Sequence, residues 1–373
     1  YIETVDEEMA QDVDAHLYGG IPIHQIEQLT VLRNTTKDVL YNALQEIRPG
    51  YVKLITSIDS LTKNVLNDQC VQNKIEDLKK DLSAYIHTYW EKLKTVYDIN
   101  NIAPLKDDML TEIKQLLKHF YYVDEYEGYQ IIAELWEEML TKDTEKIAIS
   151  DFYTVGRTYE ANMVVKGSGK TKRLEQDGWM GAIVPNELIL KELYTDELEE
   201  LEVKQASLAS ITDEISELVE AAKVEESDEE AALGNVLNAK EDGFTLTAVR
   251  SEIKNVEKDT NEYELLYKVK SLLDEKSELN RDMKAKEKAL NKQVEEKIEN
   301  LTDEEIEKLI YKKWFGNLTD RMTQLIENQL KSELDILKEL QNRYTDTLEM
   351  IEKESQLLET QFEEMLKELV VTE

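Results

Sequence analysis

Residues 194–222 read YTDELEELEVKQASLASITDEISELVEAA, and this segment sets the architecture expected of the whole chain. Its apolar residues recur every seven positions, with two more set three positions further on: Tyr194, Leu201, Leu208, Ile215 and Ala222, then Ile211 and Leu218. Seven residues make almost two helical turns, so these side chains share one face of a helix. The pattern predicts a coiled-coil helix.

A second apolar seam follows a loop expected near 224–245. Its members are spaced by three, four or seven residues: Val269, Leu272, Leu279, Met283, Leu290, Val294 and Ile298. Two amphipathic helices joined by a loop can fold back on one another. Residues 187–300 are therefore predicted to form an antiparallel coiled-coil hairpin.

The C-terminal segment, 301–373, is predicted to contain one long helix that begins near Trp314. Its apolar residues follow 3-4 spacing: Leu330, Leu334, Leu337, Tyr344, Leu348, Ile351, Leu358, Phe362, Met365 and Leu369. Thr302 and Glu305 have the spacing of a capping box, which predicts a short helix before the long one.

The N-terminal part is predicted to be a linker followed by a helical domain. Residues 1–25 are acidic and end in Gly19-Gly20-Ile21-Pro22, so we expect a linker that leaves a missing upstream domain. Residues 26–146 show helical periodicity, strongest between Val71 and Tyr97. Leu44 and Ile47 also fit a helix before Pro49 breaks the pattern.

Residues 147–186 are predicted to form loops and short strands, because they contain 5 of the 12 glycines and little helical periodicity. Four basic residues lie here with no acid between them: Lys166, Lys170, Lys172 and Arg173. The string Gly167 to Thr171 ends like a phosphate-binding loop, but Val164 replaces its first glycine and no apolar helix follows. A phosphate-backbone contact with DNA and a plain flexible loop both stay open.

The composition favours a mainly helical protein with a narrow core. The chain has 45 basic and 80 acidic side chains, a net charge of -35, and only 4 prolines among 373 residues. Such a charge excludes broad wrapping of nucleic acid. No apolar run reaches membrane-spanning length, and a single cysteine, Cys70, favours a reducing compartment, so we expect a cytoplasmic protein without membrane contact.

No catalytic or metal-binding constellation is visible in the sequence. The four histidines are scattered, with no His-Glu-x-x-His and no Cys-x-x-Cys, so neither a zinc site nor a histidine-based triad is predicted. The abundant carboxylates point to no particular acid–base pair. On this basis we predict no catalytic residue and no cofactor in this chain.

Several short strings, taken in order, resemble one family. They are Asp14-Ala15-His16-Leu17-Tyr18-Gly19-Gly20-Ile21-Pro22, Arg48-Pro49-Gly50-Tyr51, Tyr126-Glu127-Gly128-Tyr129-Gln130 with Leu135-Trp136 and Met139, Gly178-Trp179 with Ile183-Val184-Pro185, Leu301-Thr302-Asp303-Glu304-Glu305, Lys313-Trp314, and Arg343-Tyr344-Thr345-Asp346-Thr347-Leu348. Their order resembles the region after the catalytic domain in modification (M) subunits of type I restriction-modification DNA methyltransferases. The resemblance covers nearly the whole chain.

The resemblance implies a part of a site-specific adenine-N6 DNA methyltransferase that lacks the active site. The family's Asn/Asp-Pro-Pro-aromatic and S-adenosylmethionine motifs are absent, so the chain is expected to be inactive alone, with S-adenosylmethionine bound elsewhere in a full-length subunit. The partner implied is the specificity (S) subunit, which carries the DNA recognition sequence. Further implied partners are the restriction (R) subunit, a second M subunit and double-stranded DNA in the assembled complex.

The apolar seams are the predicted surface for that partner. The residues assigned to docking are Leu201, Leu208, Ile215, Leu330, Leu337, Tyr344, Ile351 and Leu358, and the basic cluster is assigned to DNA. One alternative is an independent coiled-coil scaffold that self-associates without any link to DNA methylation. An enzyme of unrecognised type is the other.

Overall fold

The computed structural model of the chain describes residues 2–167, 169, 172–345 and 347–370. It is mainly helical with two small antiparallel sheets, which confirms the predicted fold class. The chain forms two compact units, one made of 1–151 with 314–373 and the other of 152–313. Within the described ranges, no helix is both long and apolar enough to cross a membrane.

The first unit begins with the N-terminal part of the chain. Its elements are α1 (Ile2–Tyr18), β1 (Ile21–Pro22), α2 (Ile23–Glu27), α3 (Thr30–Thr35), α4 (Lys37–Asn42), β2 (Leu44–Arg48), β3 (Tyr51–Leu54), α5 (Ile58–Leu66), α6 (Gln69–Lys94), a 3-10 turn (Ile99–Asn101), α7 (Ile102–Leu117), α8 (Glu125–Leu135), a π-helical turn (Trp136–Leu140) and α9 (Thr141–Ile149).

The second unit follows in sequence. Its elements are α10 (Phe152–Gly156), β4 (Tyr159–Lys166), β5 (Arg173–Gly181), α11 (Asn186–Leu193), α12 (Thr195–Ala221), α13 (Asp228–Leu233), a 3-10 turn (Gly234–Val236), α14 (Leu246–Glu252), α15 (Asn261–Ile298) and α16 (Asp303–Phe315), whose last two residues are counted with the first unit. The chain then completes the first unit with α17 (Leu318–Arg343) and α18 (Leu348–Val370).

The core of the first unit is built around α17, which packs against α3, α5, α6 and α8. Its buried apolar residues keep the predicted 3-4 spacing: Leu318, Met322, Leu325, Ile326, Leu330, Leu334, Leu337 and Leu340. The C-terminal segment is helical as predicted, but it is three consecutive helices. The helix that was expected to pass through Tyr344 is interrupted, because α17 ends at Arg343 and α18 begins at Leu348.

Two polar contacts fix this core. The indole nitrogen of Trp314 donates a hydrogen bond to Asp143 Oδ2 at 2.8 Å, and the Trp314 ring lies edge-on to Trp90 at 5.6 Å. The buried Glu333 carboxylate accepts hydrogen bonds from the amides of Val31 (3.1 Å) and Leu32 (2.7 Å) at the start of α3. These amides have no partner within their own helix, so Glu333 satisfies them.

A three-stranded sheet of order β1-β3-β2 corrects one part of the sequence analysis. Leu44 and Ile47, which their spacing assigned to a helix, lie in strand β2. Pro49 ends any helix there, and Gly50 takes a φ of +83°, which supplies the turn into β3. The β2–β3 hairpin then pairs with β1 through Ile21 and Val52.

In the second unit, α12 and α15 form the predicted antiparallel hairpin. Ion pairs between the two helices show the antiparallel direction, because residue numbers increase along α12 as they decrease along α15. The pairs are Glu200 with Lys286, Lys204 with Asp282, and Glu214 with Lys268. The segment between the two helices folds as a small cap of short helices. Its Leu233, Val236 and Phe244 pack against Ile215 and Leu266 of the hairpin.

The predicted short strands of 147–186 form the two-stranded ribbon β4–β5. The capping box is also confirmed, because Thr302 N donates to Glu305 Oε2 at 2.8 Å and Glu305 N donates to Thr302 Oγ1 at 3.2 Å. Arg157 reinforces the same helix start by donating to the Leu301 carbonyl at 2.6 Å.

We expect Glu333→Ala to lower the free energy of unfolding of the first unit by about 3 kcal/mol, because two buried amides lose their acceptor. Urea unfolding followed by tryptophan fluorescence measures this, since Trp90, Trp136 and Trp314 are all buried in that unit. Glu339→Ala, on an exposed position of α17, is the matched control and should change stability by less than about 0.5 kcal/mol. Equal effects of the two substitutions would contradict the proposed role of Glu333.

The first unit is also expected to lose stability above pH 10. The Tyr85 hydroxyl donates to the Met109 carbonyl at 2.8 Å and that of Tyr89 to Glu112 at 2.7 Å, and burial raises the pKa of both phenols. The native state then retains protons that the unfolded chain loses near pH 10, so the free energy of unfolding falls as pH rises.

The expected slope approaches about 1.4 kcal/mol per pH unit for each of these tyrosines. Urea unfolding between pH 8 and 11 measures it, and Tyr85→Phe should make the dependence shallower. The prediction is wrong if the free energy of unfolding stays constant over this range, or if its pH dependence is equally steep in Tyr85→Phe.

Candidate partner-docking helix

The residues predicted to dock a partner fall into three environments. Leu330, Leu337 and Tyr344 are buried inside the first unit, where they contact other helices of that unit. In the hairpin of the second unit, Ile215 is buried and Leu201 and Leu208 are partly buried. Ile351 and Leu358, both on α18, are 54% and 59% exposed. Of the predicted docking residues, only these two present most of their side chain to a partner.

Helix α18 contacts α1, but its apolar residues remain largely exposed. The exposed residues at its heptad positions are Leu348, Ile351, Leu358, Phe362 and Met365, and Met350, Leu357 and Leu366 flank them. Every residue described by its side chain between 351 and 366 is exposed. A helix with this spacing gains its stability mainly by packing the apolar face against another helix.

The borders of this face are acidic. With Leu348 and Ile351 at the two seam positions of a heptad, Glu352, Glu354 and Glu359 occupy the positions that flank the seam. These flanking positions select the partner by charge. A helix with Lys or Arg at its own flanking positions would complement α18, and a second copy of α18 would repel it.

Contacts of Tyr344 and Thr347, in the connection between α17 and α18, set where α18 begins. The buried Tyr344 hydroxyl donates a hydrogen bond to Asp12 and accepts one from Gln25 Nε2 at 2.9 Å. Burial, with the bond to Asp12 second, raises the pKa of Tyr344. Thr347 Oγ1 accepts from the Met350 amide at 3.2 Å, so this buried threonine caps the first turn of α18.

Three of the sequence strings meet around Tyr344 and Thr347. Gly19 takes a φ of +77°, and a Cβ added there would lie 3.1 Å from Thr347 Cγ2. Arg48 binds the Asp14 carboxylate and also donates to the Gly19 carbonyl at 2.8 Å, while its guanidinium lies 3.7 Å from the centre of the Tyr51 ring. The hydrogen bond from Arg48 lowers the pKa of Asp14. The glycine turn, the Arg-Pro-Gly-Tyr string and the start of α18 are therefore one structural junction.

The sequence analysis found the α18 seam but missed this junction. Asp12 and Gln25 lie more than 300 residues from Tyr344 in sequence, and no local pattern indicates such pairs. Thr347 did leave a signal, because a threonine directly before an apolar helical pattern is typical of an N-cap.

The basic residues predicted to bind DNA lie on the β4–β5 ribbon, with Lys170 outside the described residues. Lys166 and Arg173 face each other across the two strands. Lys166 forms an ion pair with Asp177 at 3.2 Å, Arg173 forms one with Glu175 at 2.6 Å, and Lys172 is exposed. Exposed ion pairs are weak, so a phosphate could replace either carboxylate.

Among the described residues, no group of three or more His, Cys, Asp and Glu side chains could hold a metal ion. No protein-family model, curated protein or solved structure matches this chain. The arrangement that remains as a candidate functional site is the exposed face of α18 and the junction that orients it.

We expect Thr347→Val to weaken the start of α18 by about 1 kcal/mol, because valine keeps the shape of threonine but cannot accept the Met350 amide. Hydrogen exchange of the amides of residues 350 and 351 measures this as loss of protection. Thr345→Val is the control, since the exposed Thr345 hydroxyl donates to the Gln341 carbonyl at the end of α17 and does not serve the first turn of α18. Unchanged protection in Thr347→Val would show that the cap does not hold α18.

Proposed function

We propose that this chain is the non-catalytic assembly and DNA-clamp region of a type I restriction-modification M subunit. In this proposal α18 docks on a helix of the specificity subunit and thereby holds an upstream adenine-N6 methyltransferase domain against DNA. S-adenosylmethionine belongs to that upstream domain, and the complex acts in the cytoplasm. The restriction subunit and a second M subunit are further partners of the assembled complex.

The observation that carries the proposal is the exposed apolar face of α18 with its acidic borders. An apolar helix face rimmed by charge is a recurring means of recognising a partner helix. The order of the sequence strings adds support, since three of them form the junction from which α18 departs. The basic residues of the β4–β5 ribbon remain the proposed contact with DNA phosphates in the complex.

The test combines Ile351→Ser, Leu358→Ser and Phe362→Ser in one variant of the full chain. We expect its affinity for the specificity subunit from the same cells, measured by surface plasmon resonance, to fall at least about 100-fold, because three apolar anchors are lost. All three side chains are more than half exposed, so the fold should survive. Leu337 is left unchanged because it belongs to the core of the first unit.

The matched control replaces three equally exposed apolar residues of the same unit, Ile55, Ile99 and Ile149, by serine. This variant should bind the specificity subunit as the unaltered chain does. Binding that survives the α18 substitutions, or that both variants lose alike, would refute docking through α18.

The second candidate function is a coiled-coil scaffold that self-associates, because the chain has several heptad seams. The acidic borders of α18 argue against it, since like charges would face each other in a pair of identical helices. Sedimentation velocity of the full chain at 150 mM salt separates the two functions. A monomer favours the M-subunit proposal, and a stable dimer that the α18 substitutions dissolve favours the scaffold.

A further inference from the structure

A cleft in the second unit has the composition of a binding site for an organic cation. It has a volume of about 280 Å³ and lies between the base of the β4–β5 ribbon and the end of α15. Its lining consists of two aromatic rings, one lysine and three glutamates: Tyr159, Trp179, Lys292, Glu295, Glu296 and Glu299. Neither the docking helix nor the basic residues of the ribbon take part in it.

The two rings form an open corner. The centroids of Tyr159 and Trp179 are 5.0 Å apart with an interplanar angle of 75°, and both side chains are about two-fifths exposed. Elsewhere in the described chain, lysine and arginine side chains lie over aromatic rings, as Lys74 does over Tyr122 at 4.5 Å. No cation of the described residues lies over Tyr159 or Trp179. The exposed parts of both rings can receive one from outside.

The carboxylates beside these rings are held in position by the ribbon. Glu295 Oε1 accepts the Trp179 amide at 3.1 Å, and Gly178 leaves the space for it, because a Cβ there would lie 2.1 Å from the same oxygen. Glu299 accepts the Tyr159 hydroxyl, which raises the pKa of that phenol. Gly178 is therefore needed at this position, since a larger residue would displace the Glu295 carboxylate of α15 from its place beside the rings.

The charge of the lining favours a cation. Three carboxylates against one ammonium leave an excess of two negative charges. Lys292 is bound to Glu296 at 3.2 Å but is largely exposed, so an incoming cation can displace it. Aromatic faces next to carboxylates attract guanidinium and ammonium groups by their quadrupole and by charge.

We propose that this cleft binds an alkyl guanidinium or alkyl ammonium group, supplied either by a basic side chain of a partner protein or by a free polyamine. The two rings would contact the cation, and Glu296 and Glu299 would neutralise its charge. Binding of this kind is weak for an isolated group and gains strength when the group is part of a larger ligand.

Tryptophan fluorescence of the full chain tests the proposal directly. The chain has four tryptophans, and Trp179 is 44% exposed whereas Trp90, Trp136 and Trp314 are at most 6% exposed. Ethylguanidinium chloride at millimolar concentration should change the emission of Trp179 saturably. N-ethylurea, a neutral molecule of similar shape, and potassium chloride at equal ionic strength should not. A response that is the same for all three would overturn the proposal.

Two pairs of variants assign the response to the cleft. Tyr159→Leu should weaken binding of ethylguanidinium about three- to five-fold, whereas Tyr159→Phe, which keeps the ring, should weaken it less. Glu299→Gln should also weaken binding, and Glu287→Gln, an exposed position on α15, should not. Circular dichroism checks that each variant is folded. Equal affinities within both pairs would overturn the proposal even if the unaltered chain responds.

Two further ligands distinguish the sources of the cation. Spermidine that binds at least ten-fold more tightly than ethylguanidinium, with an Arg-Gly repeat peptide no tighter, indicates a polyamine site. The opposite order indicates a site for a basic side chain. Failure of docking through α18 has no bearing on either result, because this cleft is in the second unit and the assay needs no partner.

Discussion

The burial of α17 is the interaction on which the rest of the first unit depends. Several helices between residues 26 and 140 have apolar faces that need a central element, and that element comes from the far end of the chain. Glu333 of α17 binds the start of α3. Trp314, near the end of α16, donates to Asp143. Both contacts are buried. Removal of either acceptor would therefore leave a buried donor without a hydrogen bond, which lowers the free energy of unfolding.

This arrangement explains why consecutive parts of one apolar pattern have different roles. The heptad-like spacing continues from α17 into α18, but α17 is covered by its own unit and α18 is exposed. The connection that contains Tyr344 and Thr347 separates the two helices. Contacts of these residues with Asp12, Gln25 and Gly19 fix the point at which α18 begins. A docking helix that starts from a rigid point loses less entropy when it binds.

Several glycines and arginines of the short sequence strings have physical reasons in the structure. Arg48 joins the glycine turn to the Arg-Pro-Gly-Tyr string, and Thr347 packs on the same glycine. Gly178 admits the Glu295 carboxylate beside Trp179. These residues serve the fold and the aromatic cleft of this chain. The proposed docking rests separately on the exposed face of α18.

The sequence by itself determined the helical class, the antiparallel hairpin, the capping box and the seam of α18. Each of these depends on residues less than a few turns apart, and helical periodicity records such local relations. Helical periodicity could not show that Leu44 and Ile47 lie in a strand, because pairing among three strands overrides a weak helical pattern.

Only the tertiary structure decided which apolar seams are covered. Leu337 and Leu358 belong to the same spacing pattern, yet one is buried and the other exposed. The difference arises because burial is a property of what packs against a residue, and the helices that cover Leu337 come from the opposite end of the chain. For the same reason, the meeting of Tyr159 and Trp179 with the carboxylates of α15 is a product of the fold.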